Sequence, residues 1–267
     1  MSKGDSAREA ATDLQQSPVV QGLARVGYVV NGLLHVLIGV IALTVAFGGT
    51  GDASEEGALT ALAATPFGDV LLWVVTIGLW ALALFQILET ALVRGTNRRA
   101  WGRRAKEGGK AVVYAVVGLA AFGFAMGGGS GGESAESVSA RILSAPGGVV
   151  LLLAIAAGVC ALGIYFIVKG VRRKFLEDIA KPAHELGKAT VTAGVVGYVA
   201  QGIAIVTVGV LFGVAAATSD PSEASGLDGA LKKLTELPFG AVILTAVALG
   251  LIAFGIYCFL RARYARL

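Results

Sequence analysis

Charged residues are scarce in this chain. They make up 15% of its 267 residues, against about a quarter in an ordinary water-soluble domain. Together with 55% hydrophobic residues and a mean hydropathy of +0.75, that scarcity excludes water as the main solvent of the fold. Histidine is scarcer still: only His35 and His184 occur, which excludes a histidine-rich metal centre. The two cysteines, Cys160 and Cys258, lie in separate apolar runs without a second Cys or His at ligand spacing. They are expected as small buried hydrophobes, with no disulfide, metal or other cofactor.

Nucleotide-binding signals are also missing. In Gly108-Gly109-Lys110-Ala111 the upstream glycine spacing of a P-loop fails and the lysine is followed by alanine. The glycine run at 127–132 follows an apolar stretch and reads as an outer linker, not a phosphate cradle. No cleavable targeting segment is evident either. The polar arm at residues 1–17 lacks an apolar core and reads as disordered, and the first apolar run is too long for a signal peptide and has no Ala-x-Ala site after it.

What the chain has is long apolar runs. Six occur, at 26–47, 70–93, 111–126, 149–168, 191–217 and 241–260, and a helix needs about 20 such residues to cross the hydrocarbon of a bilayer. The third is short and is expected to thin the bilayer locally or to borrow residues from its flanks. Spanning strands would alternate with a period of two and close into a barrel, whereas these runs are continuous, so helices are expected. The fold class is therefore all-α: a polytopic membrane protein of six transmembrane helices.

The few charges are sorted. Nineteen of the 22 Lys and Arg residues lie in the N-terminal arm, in the stretches 94–110 and 169–188, and at the C-terminus; the three opposite loops hold only Arg141, Lys232 and Lys233. By the positive-inside rule, both termini and the basic linkers are expected on the cytoplasmic side of a bacterial cell membrane. The clusters Arg98, Arg99, Arg103, Arg104 and Arg172, Arg173, Lys174 are expected to attract anionic lipid at that face, a reading preferred over nucleic-acid binding for residues that flank a membrane span.

The runs also repeat. Pro-Phe-Gly at 66–68, Pro-Gly-Gly at 146–148 and Pro-Phe-Gly at 238–240 open the even-numbered spans, with proline expected in the first helical turn. A short interfacial helix is expected before each proline. Twelve residues beyond each proline stands Gly78, Gly158 or Gly250, and nineteen beyond stands Phe85, Tyr165 or Tyr257; in the odd spans Tyr28, Tyr114 and Tyr198 each precede a glycine by four. The chain thus divides into the arm at 1–17 and three hairpin units at 18–107, 108–187 and 188–267. Sharing one orientation, they predict parallel repeats about a pseudo-threefold axis along the membrane normal. With Ala24-Arg25-Val26-Gly27-Tyr28 opening the first span and Pro-Phe-Gly the second, the chain resembles the DUF1206 family of bacterial membrane proteins. That resemblance implies three tandem two-helix units and supplies no activity.

Ionisable groups inside spans are functional candidates. Asn31 and His35 share a face of the first span, and Gln86 and Glu89 lie three apart on the second at a similar depth, so the four are expected to meet. Glu89 has Lys169 and Arg261 as its repeat counterparts, which predicts a central ion cluster. Three roles suit these residues: interhelical bonding, a pocket or proton path with His35 and Glu89 titrating, or an acid–base pair. The first is preferred. The expected function is a non-enzymatic structural or interaction-bearing membrane component, with the bilayer, anionic lipids and a protein as partners; the alternative is a small transporter or channel with its site around His35 and Glu89.

Overall fold

The computed structural model describes residues 17–93, 95, 97–127, 134–179 and 184–264, without the side chains of residues 99 and 184–186. The expected disordered arm and the glycine linker beyond residue 127 fall outside these. Six long helices carry the apolar runs: α1 (Pro18–Ala46), α3 (Gly68–Leu92), α4 (Arg98–Ala125), α6 (Gly148–Val171), α7 (His184–Thr218) and α9 (Gly240–Tyr264). Each is long and apolar enough to cross a membrane. The chain is an all-α polytopic membrane protein. Between the spans of each unit lies a short helix, α2 (Glu55–Ala63), α5 (Ala135–Leu143) or α8 (Gly226–Thr235), where interfacial helices are expected. The end of the bundle with α2, α5 and α8 is called here the loop end, and the opposite end, with the basic linkers, the linker end.

Two local expectations need correction. The third span is not short, because α4 is continuous from Arg98. Asn97 caps it, its Oδ1 accepting from the Ala100 backbone N–H at 2.8 Å, and the residues that follow are mostly good helix formers, with Glu107 and Lys110 paired one turn apart. Lys106, Glu107 and Lys110 therefore ride on a spanning helix. The prolines, expected in the first turn of α3, α6 and α9, stand two residues before it. Each belongs to a tight turn in which the motif's glycine N–H donates to the residue preceding proline: Gly68 to Thr65 (2.9 Å), Gly148 to Ala145 (2.9 Å) and Gly240 to Leu237 (2.8 Å). The glycine is needed because a Cβ there would strike carbonyls at the end of the short helix, those of Ala63, Ile142 and Thr235.

The tightest pairings join neighbouring units and not the two spans of one unit. α3 packs along α4, α6 along α7 and α9 along α1, and the looser contacts α1 to α3 and α7 to α9 complete the sequence of neighbours α4, α3, α1, α9, α7, α6. Lipid offers no hydrophobic drive between helices, so close approach at small residues is what gains packing energy. A Cβ on Gly32 would come within 2.8 Å of the Gly255 carbonyl oxygen, and one on Gly255 within 2.6 Å of that of Gly32. Gly163 and Gly202 repeat this reciprocity across α6 and α7 at 2.7 and 2.6 Å.

The arc does not close. Within units one and three the two spans meet through matching positions: Gly27 against Leu82 and Gly197 against Phe254, then Gly78 against Val30 and Gly250 against Ala200. In unit two the corresponding residues are Val113 with Leu162 and Gly158 with Val116. A Cβ on Gly158 meets nothing within 4 Å. Val116 is 59% exposed where Val30 is 3%, and Leu162 is 43% exposed where Leu82 is 0%. Helices α4 and α6 are thus parted along their middles, and near the linker end Lys106 lies over the Tyr165 ring, at 5.9 Å.

These contacts predict opposite responses to the same change. Gly255→Leu should lower the thermal stability of the detergent-solubilised protein by about 1–3 kcal/mol, the usual cost of overpacking, whereas Gly158→Leu should leave it unchanged. Equal losses in size-exclusion melting curves would show that α4 and α6 pack after all.

Candidate functional site

Polar groups gather at the linker end, below an apolar core. In the loop half of the arc, Leu34, Ile38, Leu72, Val75, Leu79, Leu244, Val247 and Leu251 form one fully buried cluster, closed at the loop end by Leu59 and Leu231 from the short helices. Toward the linker end the spans carry Lys169 on α6 and Arg261 on α9, the two expected counterparts of Glu89. The acid that brings them together is Asp178, on a 3-10 turn (Lys174–Asp178) just past α6. Lys169 Nζ donates to Asp178 Oδ2 at 2.6 Å, and Arg261 Nη2 lies 3.8 Å from the same oxygen.

Aromatic rings complete the surroundings of both cations. Lys169 Nζ donates to the Tyr198 hydroxyl at 3.2 Å and sits 4.8 Å from that ring's centre. The Arg261 guanidinium lies 4.4 Å above Tyr28. Such contacts are worth about 2 kcal/mol when water is excluded. Phe175, fully buried on the same 3-10 turn, stacks on Tyr198 at 5.4 Å and meets Tyr257 edge-on at 5.2 Å, and its carbonyl accepts from the Tyr257 hydroxyl at 3.3 Å. The second linker therefore tucks beneath the bundle, with Phe175 and Ile179 as apolar anchors and Asp178 between them aimed at the cations.

Asp178 lies outside the spans, and its ionisation follows from this setting. Burial alone would raise its pKa, but the charges of Arg261 and Lys169 outweigh burial and hold it below its ordinary 3.8. A depressed carboxylate pKa contributes stability that is present above the unfolded-state value and lost as pH falls through the folded-state value.

The other candidates are dispersed. Asn31 and His35 turn toward α9: the Asn31 amide donates to Cys258 Sγ at 3.4 Å, and the His35 ring lies 4.8 Å from Phe254. His35 Nδ1 donates to the Asn31 carbonyl at 2.8 Å, so this nitrogen carries the proton. Gln86 is buried on α3, and its Oε1 has no hydrogen-bond partner among the described residues; Glu89, half-buried nearby, is engaged in an interaction of its own. No described hydrogen bond joins Asn31 and His35 to Gln86. Of the basic rim, Arg98, Arg103, Arg172, Arg173 and Lys174 are exposed, while Arg104 turns back to donate to the Val93 carbonyl at 3.0 Å and lies over Trp101. The Arg99 side chain is outside the described residues.

Lys106 and Lys110 on α4 extend the charged group. Both pair with Glu107, while the like charges of Lys106 and Lys169, and of Lys110 and Arg261, lie near enough to repel each other. Four cations thus face two acids across the linker end of the arc. Sequence reasoning missed Asp178. Its one signal was an acid flanked by Phe175 and Ile179, apolar residues with no reason to sit in a solvated linker.

The Domain of Unknown Function (DUF1206) model matches this chain three times, at residues 26–92, 106–173 and 196–265. The chain belongs to the DUF1206 family. Each match covers one pair of spans, so the family's unit is the hairpin, although in the fold each hairpin packs more closely on its neighbours than on itself. The chain is 32% identical over 255 residues to the "Uncharacterized protein YxxB" of Bacillus subtilis (strain 168), covering 94% of this chain and 93% of that protein. No solved structure matches. In this DUF1206 protein Asp178, Lys169 and Arg261 tie the second unit to the third.

Replacing Asp178 by asparagine should cost about 3 kcal/mol at neutral pH, the low end for breaking a buried ion pair, read as a fall in melting temperature. The deficit should shrink in Asp178→Asn/Lys169→Met, which removes both charges, and in the comparison with wild type it should begin to fall below pH 3.8 and vanish only once the pH has passed the lower folded-state value. A deficit independent of pH would show that the carboxylate charge is not what the site uses.

Proposed function

We propose that this protein is an interaction-bearing component of a bacterial cytoplasmic membrane, with its termini and basic linkers in the cytoplasm. It acts through what its linker end binds and not through a conduction path or a chemical step. The observation that carries this reading is the division of the arc into a charged linker end and an apolar loop half. A carrier of ions or polar solutes needs polar groups or water along its path. Here Leu34, Ile38, Leu72, Leu79, Val247 and Leu251 fill the space above the charged residues. Lys169 is hydrogen-bonded to Asp178 and Tyr198, and Arg261 is held by the Asp178 charge and the Tyr28 ring, as contacts that hold helices together are. Exposed Arg98, Arg103, Arg172, Arg173 and Lys174, beside the exposed Trp101, form a rim suited to an anionic membrane surface, each cation contributing about 1 kcal/mol.

Purified protein in liposomes should pass protons, potassium and small anions no faster than protein-free liposomes, and Glu89→Gln should change nothing. A protein-dependent flux that Glu89→Gln abolishes would favour a transporter and overturn the reading. Orientation has its own test. A cysteine replacing exposed Arg103 should react with a membrane-impermeant maleimide only after cells are permeabilised; labelling of intact cells would reverse the topology.

A further inference from the structure

The gap between α4 and α6 has two features that belong together. One is its apolar height. From Lys106 to Val116, α4 rises about 15 Å, half the thickness of a bilayer's hydrocarbon core, and over that distance Val113 and Val116 face no partner on α6. The other is its foot. There Lys106 and Lys110 from one wall, Lys169 from the other and Arg261 behind them outnumber Glu107 and Asp178, leaving an excess of two positive charges. The Arg261 Nε is buried without a hydrogen-bond partner among the described residues. An ordinary lipid-facing helix pair has neither an internal opening nor a cationic floor.

We infer that the gap between α4 and α6 holds one anionic phospholipid of the leaflet at the linker end, its phosphate against Lys106, Lys110 and Arg261 and an acyl chain between the parted helices beside Gly158. The charge excess selects an anionic headgroup over a zwitterionic one. The apolar walls begin where the charges end, so headgroup and chain are received at the depths where a bilayer presents them. Units one and three are closed at the same positions by Gly27 with Leu82 and Gly197 with Phe254, which confines the site to unit two. The inference deepens the reading of the linker end as an interaction surface by naming what it binds.

The test is retention of lipid by full-length protein in a neutral maltoside detergent, titrated with phosphatidylglycerol and followed by native mass spectrometry. One phosphatidylglycerol per chain should be retained in preference to phosphatidylcholine. Lys110→Gln should weaken retention about fivefold, the loss expected for one headgroup cation. Gly158→Phe, which fills open space and leaves every charge in place, should weaken it at least as much while melting like wild type. Unchanged retention in Gly158→Phe, equal retention of phosphatidylcholine, or equal binding of glycerol phosphate without chains would overturn the inference. So would a dimer joined through α4 and α6. Loss only on substituting Arg172, Arg173 and Lys174 together would move the lipid to the rim, leaving the proposed function standing and this site refuted. Retention in the gap alongside a Glu89-dependent flux would do the reverse.

Discussion

The close crossing of helix backbones at paired glycines is the contact on which the rest of this fold depends. Inside a bilayer a leucine face gains little by leaving lipid for protein, so association needs dispersion contacts that lipid cannot match. Gly32 with Gly255 and Gly163 with Gly202 bring α1 to α9 and α6 to α7 near enough for one helix's carbonyls to touch the other's Cα. Because these crossings join different hairpins, each hairpin is held mainly by its neighbours. That arrangement suits three similar units on one chain, since none has to bury its packing face alone.

The charged group at the linker end then adds specificity. Paired charges at partial burial give little net stability over a well-packed apolar alternative, but leaving one unpaired is costly. Lys169 comes from unit two, Arg261 from unit three and Asp178 from the linker between them, so the pairing is complete only when those parts are in register. Phe175 and Ile179 hold Asp178 in place from either side. The tyrosines supply polarizable faces and hydroxyls where water would otherwise be required.

Much of the architecture was legible in the sequence because membrane physics leaves few choices. Six apolar runs, three proline-glycine turns and their short interfacial helices follow from composition and spacing. The start of α4 was not, since Lys106, Glu107 and Lys110 interrupt the hydropathy on which the span was judged while their own pairing sustains the helix. The candidate site was legible only in part. Lys169 and Arg261 stood out as charges in apolar helices. Tyr28 and Tyr198 were visible as repeat markers without any sign that their rings lie against cations. Asp178 was hidden in a basic linker, because what makes a linker residue dip under the bundle is tertiary. Asn31 and His35 share a face as helical spacing requires, but spacing along one helix does not say which neighbour that face meets, and the neighbour is α9.

Unit two departs from its siblings in a patterned way. It keeps the residues that bind it outward: Gly118 lies against Trp80 on α3, and Gly163 crosses Gly202 on α7. What it lacks are the contacts between its own two spans, where Val113 stands in place of Gly27 and Gly197, and Val116 in place of Val30 and Ala200. A β-branched valine at the first of these positions cannot let the facing helix approach as a glycine does. Gly158, the counterpart of Gly78 and Gly250, consequently faces open space. The outward contacts persist and the inward ones are absent, so the opening is a property of the folded arc and is set by a few side chains on α4.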